Sequence, residues 1–233
     1  MNKKNITISI CVPALNEEKN LEGAVEDLML NLISHVRNFE IIIVDDGSID
    51  STPKLAKELS EKYYQVKFIK HSVNRGVGSC YRDALKAARG DYFTWFPSDH
   101  EDSAQELINC LPHLSKNCMI ILNHRGYDCR SKFRQLLSYC YTWILNKYFK
   151  MNLKYYNGLT IIPTDILRLI PLAANGFAFS AEIIIHSIKS GCKVIELNAP
   201  LRKRASGSSK AFKINSLLRM CRDYFIFFKK ENS

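Results

Sequence analysis

No run of about 18 consecutive apolar residues occurs in this 233-residue chain, so the sequence predicts no membrane-spanning helix. No CxxC pair occurs either. The cysteines stand apart at 11, 80, 110, 118, 129, 140, 192 and 221, which argues against a zinc ribbon and reads as reduced thiols in a cytosolic protein. No Gly-x-Gly-x-x-Gly follows the first strand candidate, which disfavours a dinucleotide-dependent dehydrogenase. Repeats and low-complexity tracts are lacking. Asn2 to Asn5 run straight into a strand pattern, so no secretory leader is expected. Acidic residues are scarce beyond residue 125, where Arg130, Lys132, Arg134, Lys147, Lys150 and Lys154 gather with a later basic group from Arg202 to Lys230. The net charge of +10 suits an anionic membrane surface, a phosphorylated substrate or nucleic acid. No nucleic-acid-reading motif appears, so nucleic acid is not expected as a partner.

The residues that are present describe one α/β domain. Hydrophobic content of 46% with 24% charged residues is ordinary for a chain able to bury one core. Thr7 to Val12, Ile41 to Val44, Val66 to Lys70 and Asp91 to Phe96 read as strands, each ending in polar or glycine-rich turn residues before a helical pattern. The second strand ends in adjacent carboxylates, Asp45 and Asp46, followed by Gly47, Ser48 and Asp50. Two neighbouring like charges at the C-terminal edge of a buried strand suit ribose hydroxyls, base nitrogens or a metal; a helix cap with a solvated turn is the plain alternative. Asn74, Arg75, Gly76, Val77 and Gly78 open a helix, where glycine lets backbone approach a ligand and the helix start favours anions.

Val-Pro-Ala-Leu-Asn-Glu-Glu (12–18), Val-Asp-Asp-Gly-Ser (44–48), Asn-Arg-Gly-Val-Gly (74–78) and the Pro-Ser-Asp turn (97–99) occur in this order. Together they resemble the inverting family 2 glycosyltransferases of GT-A fold, most of all the short polyprenyl-phosphate enzymes such as dolichol-phosphate mannose synthases. The resemblance implies a Rossmann-like, mostly parallel sheet flanked by helices. It implies that Pro13, Ala14, Asn16, Glu17, Asp45, Asp46, Arg75 and Gly76 meet the nucleotide, and that Asp99 is a catalytic residue holding Mg²⁺ or Mn²⁺ against the diphosphate. The family pattern Asp-x-Asp is Pro97-Ser98-Asp99 here, so one carboxylate is missing; His100, Glu101 or Asp102 are the nearby candidates to compensate, and a plain turn or helix cap is the alternative for them. Gly176 to Glu182 is similar to a family segment lining the sugar and acceptor region, which makes Glu182 a second catalytic candidate; a first-turn helix carboxylate is the alternative. Arg125, Asn157, Arg202, Arg204, Ser209 and Lys210 are the residues expected to bind the acceptor and its phosphate.

Two stretches point to a membrane surface. Phe133, Leu136, Leu137, Cys140, Ile144 and Tyr148 fall at helical spacing among basic residues, and Ile214, Leu217, Leu218, Cys221, Phe225 and Phe228 repeat the pattern. A basic, aromatic-rich amphipathic helix suits a lipid interface, and packing of the two helices on the sheet or on each other is the alternative. The expected organisation is a nucleotide-sugar half at 1–125 and an acceptor half at 126–212, the latter with a helix at about 132–150 and a basic loop at 202–210. An amphipathic helix closes the chain at 213–233. The expected activity is transfer of a sugar from a GDP- or UDP-sugar to polyprenyl phosphate, with inversion, by a cytoplasmic protein peripheral on the inner membrane face. A saccharide hydroxyl acceptor in surface-polysaccharide synthesis and a catalytically degenerate nucleotide or membrane binder remain as alternatives. A membrane-protein partner and a homo-oligomer stay open.

Overall fold

The computed structural model describes residues 4–99, 101–124 and 131–200, with the side chains of Lys4 and Asn5 left aside. His100, Arg125, the basic loop at 202–210 with Arg202, Arg204, Ser209 and Lys210, and the helix expected at 213–233 lie outside the described residues.

The strands are β1 (Lys4–Ala14), β2 (Val36–Asp45), β3 (Val66–Lys70), β4 (Tyr92–Trp95), β5 (Cys118–Asn123), β6 (Thr160–Pro163) and β7 (Lys193–Asn198). They form one seven-stranded sheet in the order β3-β2-β1-β4-β6-β5-β7. β6 runs antiparallel to both its neighbours and every other pairing is parallel, so the expected mostly parallel sheet is met. The helices are α1 (Leu21–His35), α2 (Thr52–Lys62), α3 (Val77–Ala87), α4 (Ala104–Cys110), α5 (Lys132–Phe149), α6 (Thr164–Leu169) and α7 (Phe179–Lys189).

The apolar runs that predicted strands are continuous, not alternating, because both sheet faces are covered. Ile41 and Ile43 of β2 join Ile8, Ile10 and Val12 of β1 in a core with Leu28, Leu32, Leu59 and Leu107 from α1, α2 and α4. Ile42 and Val44 point the other way, toward Tyr81, Leu85, Phe179 and Ile183 from α3 and α7. Each fully buried Ile or Leu side chain contributes about 1.5–3 kcal/mol.

Toward the N-terminal ends of the strands a polar group ties β1, β2 and β3 together. Glu40 accepts from Ser9 Oγ at 2.6 Å, from Lys67 Nζ at 2.5 Å and from the Arg89 backbone N–H at 2.5 Å, while Ser9 Oγ accepts from Gly90 N at 2.8 Å. Toward the C-terminal ends the order turns about β1, which has β2 on one side and β4 on the other. Connections that depart in opposite directions leave a crevice at such a point, and open α/β sheets bind ligands there.

Candidate active site at the C-terminal sheet edge

The loop after β1 and the loop after β2 are laced into one wall. Asp46 N donates to the Ala14 carbonyl at 2.8 Å, Asn16 N to Ser48 Oγ at 2.8 Å, Ile49 N to Asn16 Oδ1 at 2.9 Å and Glu17 N to Thr52 Oγ1 at 2.8 Å. Asn16 adopts φ +52°, a left-handed conformation that asparagine tolerates better than most residues. Its side chain braces the neighbouring loop. Glu17 Oε2 accepts from Asn20 Nδ2 at 2.8 Å at the entry to α1. Pro13 carries the Ser98 hydroxyl on its carbonyl at 3.3 Å, which fixes the Pro97–Asp99 turn beside β1.

The adjacent aspartates have different tasks. Asp46 is buried; its Oδ1 accepts from Arg75 N at 2.9 Å and faces His71 Nδ1 at 2.8 Å, and its Oδ2 accepts from Gly76 N at 2.8 Å. Both oxygens therefore hold the β3–α3 loop. Asp45 is fully buried as well, and its Oδ1 takes only a long bond of 3.3 Å from Ser48 N. Its Oδ2 has no hydrogen-bond partner among the described residues. Leaving a buried acceptor unmade is costly, so this oxygen is open to a further N–H or O–H donor.

The loop from β3 into α3 carries residues that sequence reasoning passed over. His71 is buried, with Nδ1 toward Asp46 and Nε2 3.2 Å from Asp83 Oδ2. Asp83 Oδ2 also accepts from Arg75 Nη1 at 2.9 Å, and Asp83 Oδ1 from Lys86 Nζ at 2.8 Å. Burial acts to raise the Asp83 carboxyl, but Lys86, Arg75 and His71 outweigh it and hold it below the ordinary carboxylate range. Asp46, His71 and Cys80 place potential metal-ligand atoms within 4.8 Å of one another. Burial first, and then Asp46, push the Cys80 thiol far above its usual range. A set containing a thiol suits a softer ion than Mg²⁺ or Mn²⁺, and hydrogen bonds already engage its members.

The turn after β4 presents Asp99, half-buried, whose Oδ1 accepts from Glu101 N at 3.2 Å. Asp102 Oδ1 lies 3.6 Å from His124 Nε2, and His124 Nδ1 contacts the Ala199 carbonyl at 3.0 Å. Asp99, Glu101 and Asp102 put three carboxylates of the hard type that divalent cations take on one short turn, but among the described residues the set whose potential ligand atoms gather within 4.8 Å is Asp46, His71 and Cys80.

Glu182 lies in the first turn of α7 and is buried. Its Oε1 accepts from Ala173 N at 2.9 Å and its Oε2 from Ala174 N at 3.0 Å. Arg82 of α3 holds the same loop from the other side through the Ala174 carbonyl, at 2.6 Å, and Asn175 Oδ1. Gly78 N donates to the Asn175 carbonyl at 2.9 Å. Gly76 has φ +93° and any Cβ there would run into that carbonyl, so glycine is required. Asn157 is exposed; Gly158 beside it packs against the Leu122 carbonyl near the end of β5, and Ser180 Oγ donates to the Tyr156 carbonyl at 2.7 Å.

Helix α5 does not turn its apolar stripe onto the sheet. Phe133, Leu136 and Trp143 are 68%, 59% and 64% exposed, and Leu137, Ile144 and Tyr148 are exposed as well. Its buried residues are Thr142 and Leu145. The stripe seen in the sequence faces outward among the described residues, not into the sheet. No Asp or Glu occurs between Ser131 and Lys154. No described helix is long and apolar enough to cross a membrane.

Comparison with known proteins places this arrangement. The chain is 27% identical to a dolichol-phosphate mannosyltransferase of Pyrococcus furiosus, over 87% of this chain and 58% of that protein. It is 25% identical to a dolichyl-phosphate beta-glucosyltransferase of Saccharomyces cerevisiae, over 96% of this chain and 74% of that one. Against a dolichyl-phosphate beta-glucosyltransferase of Dictyostelium discoideum it is 34% identical over 41% of this chain, and spans only 31% of that protein's length. A solved structure of glucosyl-3-phosphoglycerate synthase from Mycobacterium tuberculosis, in complex with Mn²⁺, UDP-glucose and phosphoglyceric acid, superimposes with a TM-score of 0.69 at 20% identity, covering 93% of this chain and 76% of that one. The shared architecture is the GT-A fold. Residues 9–174 match the model of glycosyl transferase family 2, and the chain belongs to that family.

Proposed function

We propose that the protein transfers a sugar from a GDP- or UDP-sugar to a polyprenyl phosphate, with inversion, while docked on the cytosolic face of a membrane. The observation that carries the acceptor half is α5: a solvent-facing apolar and aromatic stripe, with Lys132, Arg134, Lys147 and Lys150 on the same helix or its cap, beside a domain whose ligand edge is polar. An anionic, lipid-borne acceptor suits that combination. The names of the Pyrococcus and Saccharomyces relatives point to the same acceptor class.

Asp45 is assigned to the nucleobase, its open Oδ2 accepting an N–H of a uracil or guanine ring. Pro13, Ala14, Asn16 and Glu17 shape the wall beside it, and Asp46 presents Arg75 and Gly76. Asp99 would hold the divalent metal, which supplies Lewis acidity to the departing diphosphate. The Mycobacterium neighbour holds Mn²⁺ with its UDP-glucose. Asn157, Arg125, Arg202, Arg204, Ser209 and Lys210 are assigned to the acceptor phosphate.

In the reaction a phosphate oxygen of the acceptor forms a bond to the anomeric carbon from the face opposite the diphosphate. The carbon–oxygen bond to the diphosphate breaks, its electron pair leaves with the nucleoside diphosphate, and the configuration inverts. The attacking oxygen is already anionic near neutral pH, so no general base is required. Glu182 is therefore assigned to holding the loop through Ala173 and Ala174, not to proton transfer.

The test is a transfer assay with labelled GDP- and UDP-sugars and polyprenyl phosphate in detergent, with and without EDTA, beside Asp99→Ala. Label should enter the lipid phase, and Asp99→Ala and EDTA should each abolish it. Donor binding without any lipid product would reject the acceptor assignment. Pro97 in place of a carboxylate supports a second reading, a non-catalytic nucleotide binder; it predicts donor binding indifferent to EDTA and no transfer to any acceptor.

A further inference from the structure

We propose that His71 and Asp83 are positioning residues that aim the Arg75 guanidinium at the diphosphate of the nucleotide donor. This rests on the nucleotide-sugar reading above.

The four residues form a closed ring. Asp46 Oδ1 takes the Arg75 backbone N–H at 2.9 Å and faces His71 Nδ1 at 2.8 Å. His71 Nε2 meets Asp83 Oδ2 at 3.2 Å, and the same oxygen takes Arg75 Nη1 at 2.9 Å. Arg75 is thus gripped twice, at its backbone by Asp46 and at its guanidinium by Asp83, with buried His71 bridging the two carboxylates. Lys86 occupies the other Asp83 oxygen at 2.8 Å, which stops that carboxylate from turning away.

The far end of Arg75 remains available. Its side chain is 50% exposed, and among the described residues Nε and Nη2 make no hydrogen bond. Its neighbours explain why a cation is needed there. The start of a helix ordinarily offers backbone N–H groups to a phosphate. At the start of α3 two of them are already engaged, Gly76 N on Asp46 and Gly78 N on the Asn175 carbonyl. The remaining positive group at that mouth which can present two donors in a plane is Arg75, and a planar fork suits phosphate oxygens. A guanidinium fixed beforehand loses less side-chain freedom on binding than one in solvent.

The experiment is calorimetric titration of the full chain with UDP and GDP, and in parallel with uridine and guanosine. The proteins are wild type, Arg75→Ala, Asp83→Asn, His71→Gln and the double variant Arg75→Ala/Asp83→Asn. Because His71 is buried, circular dichroism and thermal melting accompany His71→Gln, while the partly exposed Asp83→Asn carries the decision. Arg75→Ala and Asp83→Asn should each weaken the nucleoside diphosphate roughly tenfold and leave the nucleoside unchanged. The double variant should be no weaker than Arg75→Ala alone, since Asp83 acts only through Arg75. Asp83→Asn with wild-type diphosphate affinity, with equal losses for nucleoside and diphosphate, or with a loss that adds to that of Arg75→Ala overturns the inference while leaving the donor site standing. A wild-type protein that binds neither nucleotide rejects the nucleotide-sugar reading itself, and the inference with it.

Discussion

Asp45 and Asp46 are identical in kind and adjacent in sequence, yet they respond oppositely to the same change. Asp46→Asn replaces an acceptor with an NH₂ group facing the N–H groups of Arg75 and Gly76, so it should destabilise the protein by about 1.5–3 kcal/mol, measured by urea unfolding. Asp45→Asn relieves a buried, half-satisfied carboxylate, so stability should hold or rise while the KM for the nucleotide sugar increases. Equal destabilisation by both would undo the division of labour. The sequence marked the pair as special but could not divide it. Asp45 closes β2, whereas Asp46 bonds into a loop some 30 residues later, and nothing local encodes that partner. His71, Asp83 and His124 stayed invisible for the same reason: each acquires its meaning from a contact distant in sequence. A further prediction concerns Glu40. Burial raises its carboxyl, but bonds from Lys67, Ser9 and Arg89 prevail and lower it. A carboxyl lowered by folding contributes stability above its unfolded pKa and loses it as pH falls through the folded value. The loss should therefore begin below about pH 4.3, and Glu40→Gln should flatten the acid limb of a stability-versus-pH curve.

Helix α5 is a case where periodicity found the element and its ends within a residue or so, but not the side that is buried. Its apolar stripe and its actual core contact differ: Leu145 is buried while Trp143 and Leu136 face outward. Leu145→Ala should cost about 2–5 kcal/mol. Leu136→Ser combined with Trp143→Ser should leave the melting temperature within a few degrees and abolish sedimentation with anionic vesicles. Retained vesicle binding in the double variant would remove α5 from the membrane contact. Strands β1 to β4 were legible because buried parallel strands are unbroken apolar runs ending in turn residues. The antiparallel course of β6 was not, because a four-residue apolar strand reads the same in either direction and only its neighbours orient it.

The loop from Leu172 to Phe177 joins the start of α3 to α7. Arg82 grips it from α3 and Glu182 from α7, while its Asn175 carbonyl lies over Gly76 and Gly78. Resemblance and its place at a helix start made Glu182 a catalytic candidate; the two backbone amides on its carboxylate offer a second task, holding the loop. Glu182→Gln separates the two. A side chain that only anchors the loop keeps one acceptor oxygen as glutamine, so stability should fall by about 1–3 kcal/mol while turnover per folded molecule stays within about tenfold of wild type. A proton-transfer role would instead lower turnover by roughly two to four orders of magnitude, as fully in Glu182→Gln as in Glu182→Ala, and would leave a carboxylate signature in the pH profile of kcat. The transfer assay run across pH on wild type and both variants, normalised to folded protein, decides between them. Retention of activity by the glutamine with a wild-type pH profile would leave the chemistry to the acceptor phosphate and the donor-side residues, with α7 serving to hold the loop.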